Sequence, residues 1–312
     1  MAELKSGAPA PSSTLGIHAA LLVVQVAFAS QAVEGKLAMA PRESGGEAIA
    51  PAALAMVRMG GAAIVFFALT QILSLRTKTV WRDHLVLAGL SVIGISLNQT
   101  LFLIGLRSTT PLSAALLSVT IPVFTAVLSV LFRVEKPSLR LAFGFALALT
   151  GVLWLTGVRS IDRGALIVSL NSLSYSAYIV LSRRTIVRLG AWTVVTWIFV
   201  WGALLFLPYG GPILVREAPA WTTRGWMLVL YILLMPTLIA YLANAWALGK
   251  SSPTLVTIYI YIQPLIAGTL AWVQLGTALS ARAAVAGVFS LAGVSIVALR
   301  RPKPSSTTAP RA

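Results

Sequence analysis

Asn171, Ser174, Tyr175 and Tyr178 stand at i, i+3, i+4 and i+7 of an otherwise apolar run. On a helix that spacing puts all four on one face. Amides and phenols neither attack nor transfer protons readily at neutral pH, so the chemistry such a stripe offers is recognition by hydrogen bonds and stacking. Other apolar runs carry the same residue types: Gln31, Asn98 with Gln99, Tyr241 with Asn244, and Tyr259, Tyr261 and Gln263. The spacing of the last three does not put them on one face, so at most two can line a single cavity. Polar side chains are costly against lipid and turn toward a bundle interior or a cavity. The plainer reading is interhelical hydrogen bonding, which averages about 0.6 kcal/mol per contact in membranes. Two tyrosines and an asparagine on one stripe exceed what packing requires.

Charged groups in the apolar runs are few. Glu34, Lys36 and Arg58 fall near one end of the first two runs. They are expected either as an interfacial ion pair or, for Glu34, as a proton-coupling carboxylate. Glu135, among Arg133, Lys136 and Arg140, reads as a solvated loop charge, and His18 and His84 as interface anchors. The chain has no cysteine. It also lacks an HExxH, a nucleophile elbow, a phosphate-binding glycine loop and a carboxylate pair within the runs. No catalytic residue, metal site or cofactor is expected.

The elements that must position these residues are spans. Of 312 residues, 58% are hydrophobic and 10% charged, with a mean hydropathy of +0.88, which marks an all-α polytopic membrane protein. Ten apolar runs approach the roughly 17–25 residues a bilayer crossing needs: 15–38, 51–75, 85–106, 111–132, 139–157, 163–182, 192–214, 225–248, 252–275 and 281–299. Residues 1–14 and 301–312 read as disordered tails. Ala27-Phe28-Ala29 resembles a signal-peptide cleavage site, but the preceding charged region is poor and the first run is expected to stay. The formal charge of +16 comes from basic residues scattered between runs, which excludes a nucleic-acid patch and reads as topology. With the N-terminus inside, fifteen Lys and Arg fall on inner segments and seven on outer loops. Both termini are therefore expected in the cytoplasm, with the chain in the inner membrane.

One stretch occurs twice. Pro111 returns as Pro253, Pro122 as Pro264, Ser138 as Ser280, Arg140 as Arg282 and Gly151-Val152 as Gly293-Val294, each 142 positions later. Pro122 and Pro264 break the helical ladder inside apolar runs, and Pro236 aligns with Gly94, so both helices can bend at one depth. Repeated broken helices point to a binding site between repeats. An odd number of spans per copy inverts the second copy, giving ten transmembrane helices as a five-plus-five inverted repeat over 15–157 and 163–299. Aligning Lys36 with Arg183 matches Gln31 to Tyr178 and Phe28 to Tyr175, while Gln99 matches Tyr241. Gln31 and Tyr178 are the pair expected to meet a ligand from two sides. The small-residue ladders Gly144/Ala148 and Ala283/Gly287 suit close helix packing.

Phe28-Ala29-Ser30-Gln31 with Lys36, Arg58, the segment from Leu106 to Pro122, Glu135 and Gly151-Val152 together resemble the ten-helix EamA-type branch of the drug/metabolite transporter superfamily. The resemblance covers nearly the whole chain. Phe28 replaces the family's usual Trp, and Thr277 stands where the second copy often carries an acid. The resemblance implies transport by alternating access through a central cavity lined by spans 1, 3, 4, 6, 8 and 9. The expected ligand is a small, largely apolar or zwitterionic metabolite, an amino acid or a relative, moved outward, since a strongly anionic one would call for more buried Arg or Lys. The expected partners are that substrate, the bilayer and protons, with the chain a monomer or weak homodimer. Alternatives are a nucleotide-sugar carrier, for which no basic cluster is present, and a sensor or assembly factor, for which no output domain is present. Reporter fusions after residues 190 and 220 should label cytoplasm and exterior respectively; the reverse pattern would sink the topology and the inverted repeat together.

Overall fold

The computed structural model describes residues 11–75, 77–137 and 163–276, with isolated positions between 139 and 150 and between 285 and 292. The expected spans at 139–157 and 281–299, with their small-residue ladders, and Thr277 lie outside the described residues. The described chain is helical, without a strand. In chain order the helices are α1 (Pro11–Met39), α2 (Pro51–Ile72) and α3 (Trp81–Arg107), then α4 in two halves (Pro111–Ser118 and Thr120–Leu131). The second series is α5 (Arg163–Leu189), α6 (Ala191–Glu217), α7 (Thr223–Lys250) and α8, which begins at Pro253 and ends with Gln263–Leu275. α1 starts inside the stretch expected as a tail.

Six of these helices are long and apolar enough to cross a membrane. α5 is long enough, with 27 residues, but is not among the six. Its Asn171, Tyr175, Tyr178 and most of its serines are buried, while Arg184 and Arg188 near its end are exposed. α4 is divided at Val119. Large apolar side chains such as Leu22, Val26, Leu204, Leu205 and Met227 face outward, while Gln25, Arg58, Gln99 and Asn171 are buried. That distribution inverts the soluble pattern and suits a chain whose solvent is lipid.

The repeat is visible in local geometry. α3 is interrupted by a π-turn at Val92–Ser96 and α7 by one at Leu234–Ile239, starting 142 residues apart. The break in α4 at Val119 corresponds to the 3-10 turn Tyr259–Ile262 of α8. α1 packs on α7 and α8, and α5 packs on α3 and α4. The largest interface is between α2 and α6, where Phe66 meets Phe199 and Trp192 at ring-centroid distances of 5.9 and 5.5 Å. At the bundle's two ends the same contact recurs. Lys36 Nζ donates to the Thr109 carbonyl at 2.7 Å, and Arg183 Nε donates to the Ser251 carbonyl at 3.0 Å. These are the residues the sequence alignment matches.

Glycine serves two requirements. α5 reverses into α6 through Gly190 alone, at φ 83° and ψ 152°, a conformation that side chains disfavour. Gly94, in the α3 π-turn, lies under the Tyr178 ring so closely that a Cβ there would sit 2.3 Å from Cδ2. Gly94→Ala should therefore lower the thermal unfolding midpoint of the detergent-solubilised chain, by overpacking worth about 1–3 kcal/mol. Gly89→Ala, whose added methyl meets no atom within 4 Å, should be neutral, and equal midpoints for the two variants would refute the close approach.

Candidate functional site

The site is built from helix breaks. Pro236 has no N–H to give the carbonyl one turn back, at Ile232. The Thr237 hydroxyl takes that carbonyl, donating to Ile232 O at 2.7 Å. Its proton is then committed, and its oxygen accepts from Arg58 Nε at 2.9 Å. Arg58 Nη2 donates on to Gln31 Oε1 at 3.1 Å. One guanidinium thus joins α2, α7 and α1 while being 1% exposed. α5 serves the other breaks. The hydroxyl of Ser174 donates to Ile93 O in the α3 π-turn at 2.6 Å, and those of Ser172 and Ser176 lie 3.3 and 2.9 Å from Leu117 O and Ile121 O beside the α4 break. This is how irregular backbone persists at membrane depth.

Between these breaks lies a cavity of about 60 Å³ lined by residues of α1, α2, α3, α4, α5, α7 and α8. Gln31, Arg58, Asn98, Gln99, Asn171, Tyr175, Tyr241 and Gln263 supply its polar wall, with Ser118. Phe28 stands edge-on to Tyr175 and Tyr241, at centroid distances of 6.3 and 5.8 Å. Asn171 Nδ2 donates to Asn98 O at 2.7 Å, and the Tyr241 hydroxyl lies 3.5 Å from Asn98 Oδ1. Gln263 Nε2 donates to Gln25 Oε1 at 2.6 Å. Gln99 is 1% exposed, yet neither of its amide atoms makes a hydrogen bond of good geometry. Arg58 Nη1 and the Tyr261 hydroxyl are likewise buried without a partner. Sixty cubic ångströms admits a few waters and no metabolite, for which pockets of about 300–1,000 Å³ are usual.

Seven of the ten residues expected at a site line this cavity; Tyr178, Asn244 and Tyr261 do not. Tyr178 stacks on Tyr175 at 5.9 Å and covers Gly94, because the π-turn brings α3 backbone against that part of α5. The matched pair that meets across the cavity is consequently Phe28 with Tyr175, and the expected Gln31–Tyr178 pair is corrected. Asn244 Nδ2 donates to the Tyr175 hydroxyl at 3.1 Å, supporting it from behind. Gln99 and Tyr241, the other matched pair, both line the cavity.

The expected ion pair among Glu34, Lys36 and Arg58 is also corrected. Glu34 accepts from Gln274 at 3.1 Å, Lys36 caps the end of α3 at the Leu106, Arg107 and Thr109 carbonyls, and Arg58 points inward. Arg58 sits more than one turn into α2, far enough for its side chain to reach the interior. Glu135 is not simply a solvated loop charge: it accepts from Thr254 N at 3.0 Å, capping α8. Pro122 and Pro264 lie just after the breaks in their helices. Sequence reasoning passed over Gln25 and Thr237. Gln25, Phe28 and Gln31 fall at successive spacings of three, a signal for Gln25; Thr237 is legible only as the neighbour of Pro236.

Comparison with known proteins agrees with this architecture. The model of the EamA-like transporter family matches residues 15–157 and again residues 162–299, one match per repeat. A Bacillus subtilis protein named "uncharacterized transporter YdfC" is 29% identical over 274 residues, 82% of this chain and 85% of that protein. An Archaeoglobus fulgidus protein named "uncharacterized transporter" is 26% identical over 233 residues, 74% of this chain and 83% of that protein. A crystal structure 17% identical aligns over 92% of this chain and 97% of that chain with a TM-score of 0.68, a likeness of fold.

The Pro236–Thr237–Arg58 connection carries its own test. Thr237→Val keeps the shape but leaves the Ile232 carbonyl and Arg58 Nε unpaired, and should cost about 1–3 kcal/mol in thermal or denaturant unfolding in detergent. Thr237→Ser retains the hydroxyl and should recover most of the loss; equal losses would show that packing, not the hydrogen bonds, matters.

Proposed function

This chain belongs to the EamA-like transporter family, and on that premise we propose that it is a secondary transporter of small metabolites, moved through the central cavity by alternating access. The observation that carries the reading is the cavity itself: a polar and aromatic space lined from both repeats, inside a bundle whose outer face is apolar. Ten transmembrane helices in a five-plus-five inverted repeat, with both termini cytoplasmic, fit the matched π-turns and the matched Lys36 and Arg183 contacts. A pair of equivalent closures at opposite ends is what alternating access needs, since each end must open while the other is shut. Amino acids or related compounds are the substrate class, export across the cytoplasmic membrane is the direction, and the chain works as a monomer or weak homodimer without catalysis. Protons are the coupling ion to examine first.

The test is uptake and counterflow in liposomes containing the purified chain, with amino acids and related metabolites as the panel. Tyr241→Phe removes one hydroxyl and keeps the ring, so it should weaken a polar contact by about 0.5–1.5 kcal/mol, or roughly three- to tenfold. Tyr175→Ala removes an aromatic wall and should cost more. Leu181→Ala, on the outward face, should leave transport unchanged. No transport of any panel member, or wild-type rates in Tyr175→Ala, would overturn the reading. Glu34→Gln should keep whatever pH response the wild type shows, because Glu34 is half-exposed and held by Gln274; loss of that response would reinstate Glu34 as the coupling carboxylate.

A further inference from the structure

The central cavity holds a positive charge that no carboxylate among the described residues neutralises. Arg58 is 1% exposed and lines the cavity. Its two hydrogen-bond acceptors, Gln31 Oε1 and Thr237 Oγ1, are neutral, and Nη1 has no partner. Each carboxylate among the described residues is placed elsewhere. Glu34 meets Gln274, Glu47 meets Thr222 and Arg224, and Asp83 meets Arg188. Glu135 and Glu217 accept from backbone N–H groups of Thr254 and Ala50, and Glu43 is on an exposed turn. A guanidinium does not lose its proton to escape burial, so the charge persists, and a buried unpaired charge is among the costliest features a fold can carry.

We propose that Arg58 is the anion-recognising group of the cavity, and that the ligand is a small metabolite bearing a carboxylate on an apolar body. The proposal rests on reading the cavity as the substrate site and narrows the substrate class. An incoming carboxylate supplies the missing counter-charge and an acceptor for Nη1. Gln99, whose buried amide has only the Tyr241 hydroxyl in reach, in poor alignment, in the same wall, offers a further N–H to the carboxylate. Phe28, Tyr175 and Tyr241 form the aromatic side that takes the apolar body. A cationic ligand meets like charge here with no cavity-lining carboxylate to offset it. A neutral ligand leaves the guanidinium unpaired. A structural role alone, tying α1, α2 and α7 together, accounts for Nε and Nη2 but not for an unpartnered Nη1 at a cavity wall.

The experiment reads thermal unfolding of the purified full chain in detergent against a panel of amino acids and short monocarboxylates. For each compound the primary amide and the amine of the same skeleton are run beside it. A subset of carboxylates should raise the midpoint, while their amides and amines do not. Arg58→Lys keeps the charge without the planar fork and should weaken the response at least tenfold in ligand concentration; Gln99→Leu should weaken it in a chain that keeps its guanidinium and its helix contacts. Amides or amines that stabilise as well as the acids, no response to any acid, or wild-type responses in both variants would overturn the proposal. The transporter reading fails separately. Acids that bind but no compound that moves in liposomes would leave Arg58 assigned and remove transport. Neutral or cationic compounds that move while no acid binds would do the reverse.

Discussion

A carbonyl released from its helix inside hydrocarbon has no water to accept from, and Pro236 releases one. The response to that constraint organises the centre of this molecule. Thr237 gives its only hydroxyl proton to Ile232 O, which leaves its oxygen as an acceptor aimed across the interface at Arg58. Arg58 then reaches Gln31, so a defect in one helix fixes side chains on two others. The same pressure acts at the α3 and α4 breaks, where Ser174, Ser172 and Ser176 bring hydroxyls from α5. The polar stripe on α5 accordingly divides its labour: its serines attend to backbone, while Asn171 and Tyr175 face the cavity.

The two repeats share a backbone plan and differ in what they present. Asn98 on α3 bonds to Asn171 on α5. Their counterparts in the matched position are Ala240 and Val24, which pack together in a small apolar cluster. Gln99 and its own counterpart, Tyr241, both line the cavity and lie within reach of each other. Phe28 replaces a phenol with plain hydrocarbon opposite Tyr175. Amides and rings therefore share the cavity wall, with Phe28, Tyr175 and Tyr241 forming one ring cluster within it. An asymmetric ligand, polar at one end and apolar at the other, is what such a space can orient.

Much of the architecture was legible because it depends on residue types that have few uses. Proline within an apolar run removes a ladder hydrogen bond, and where the matched copies carried it, Pro122 and Pro264, with Pro236 opposite Gly94, it marked the depth of the site. Pro208 and Pro212, by contrast, sit inside an unbroken α6. The 142-residue spacing then paired Gln99 with Tyr241 without any coordinates. Periodicity was weaker for direction. Helical spacing put Tyr178 on the correct face of α5, but the π-turn at Val92–Ser96 advances α3 backbone over it, and no periodicity announces a π-turn. Arg58 was read as interfacial because its run begins at Pro51, and a basic residue near a helix end commonly reaches water. Its burial follows from acceptors on α1 and α7, which are distant in sequence and neutral, so charge pairing gave no hint of them.

The contacts at the two ends of the bundle bear on the proposed transport. At one end Lys36 holds three carbonyls at the close of α3, and the 39–50 loop is tied to the α6–α7 connection through Glu47, Thr222 and Arg224, with Glu217 on Ala50 N. At the other end Arg183 holds Ser251 O, Glu135 caps Thr254, His18 meets Tyr259 and Asp83 meets Arg188. Leaving the Asp83–Arg188 pair aside, hydrogen bonds of this kind contribute about 0.5–1.5 kcal/mol net each, so parting the few at one end would cost a few kcal/mol. That is the range in which ligand binding or a gradient can shift a population without either state being locked. Arg58 contacts both α1, which carries Lys36 in its last turn, and α7, which ends at Lys250 beside Ser251. An anion that drew N–H groups of Arg58 away from Gln31 and Thr237 would loosen α1 from α2 and α2 from α7, and with them the contacts at both ends.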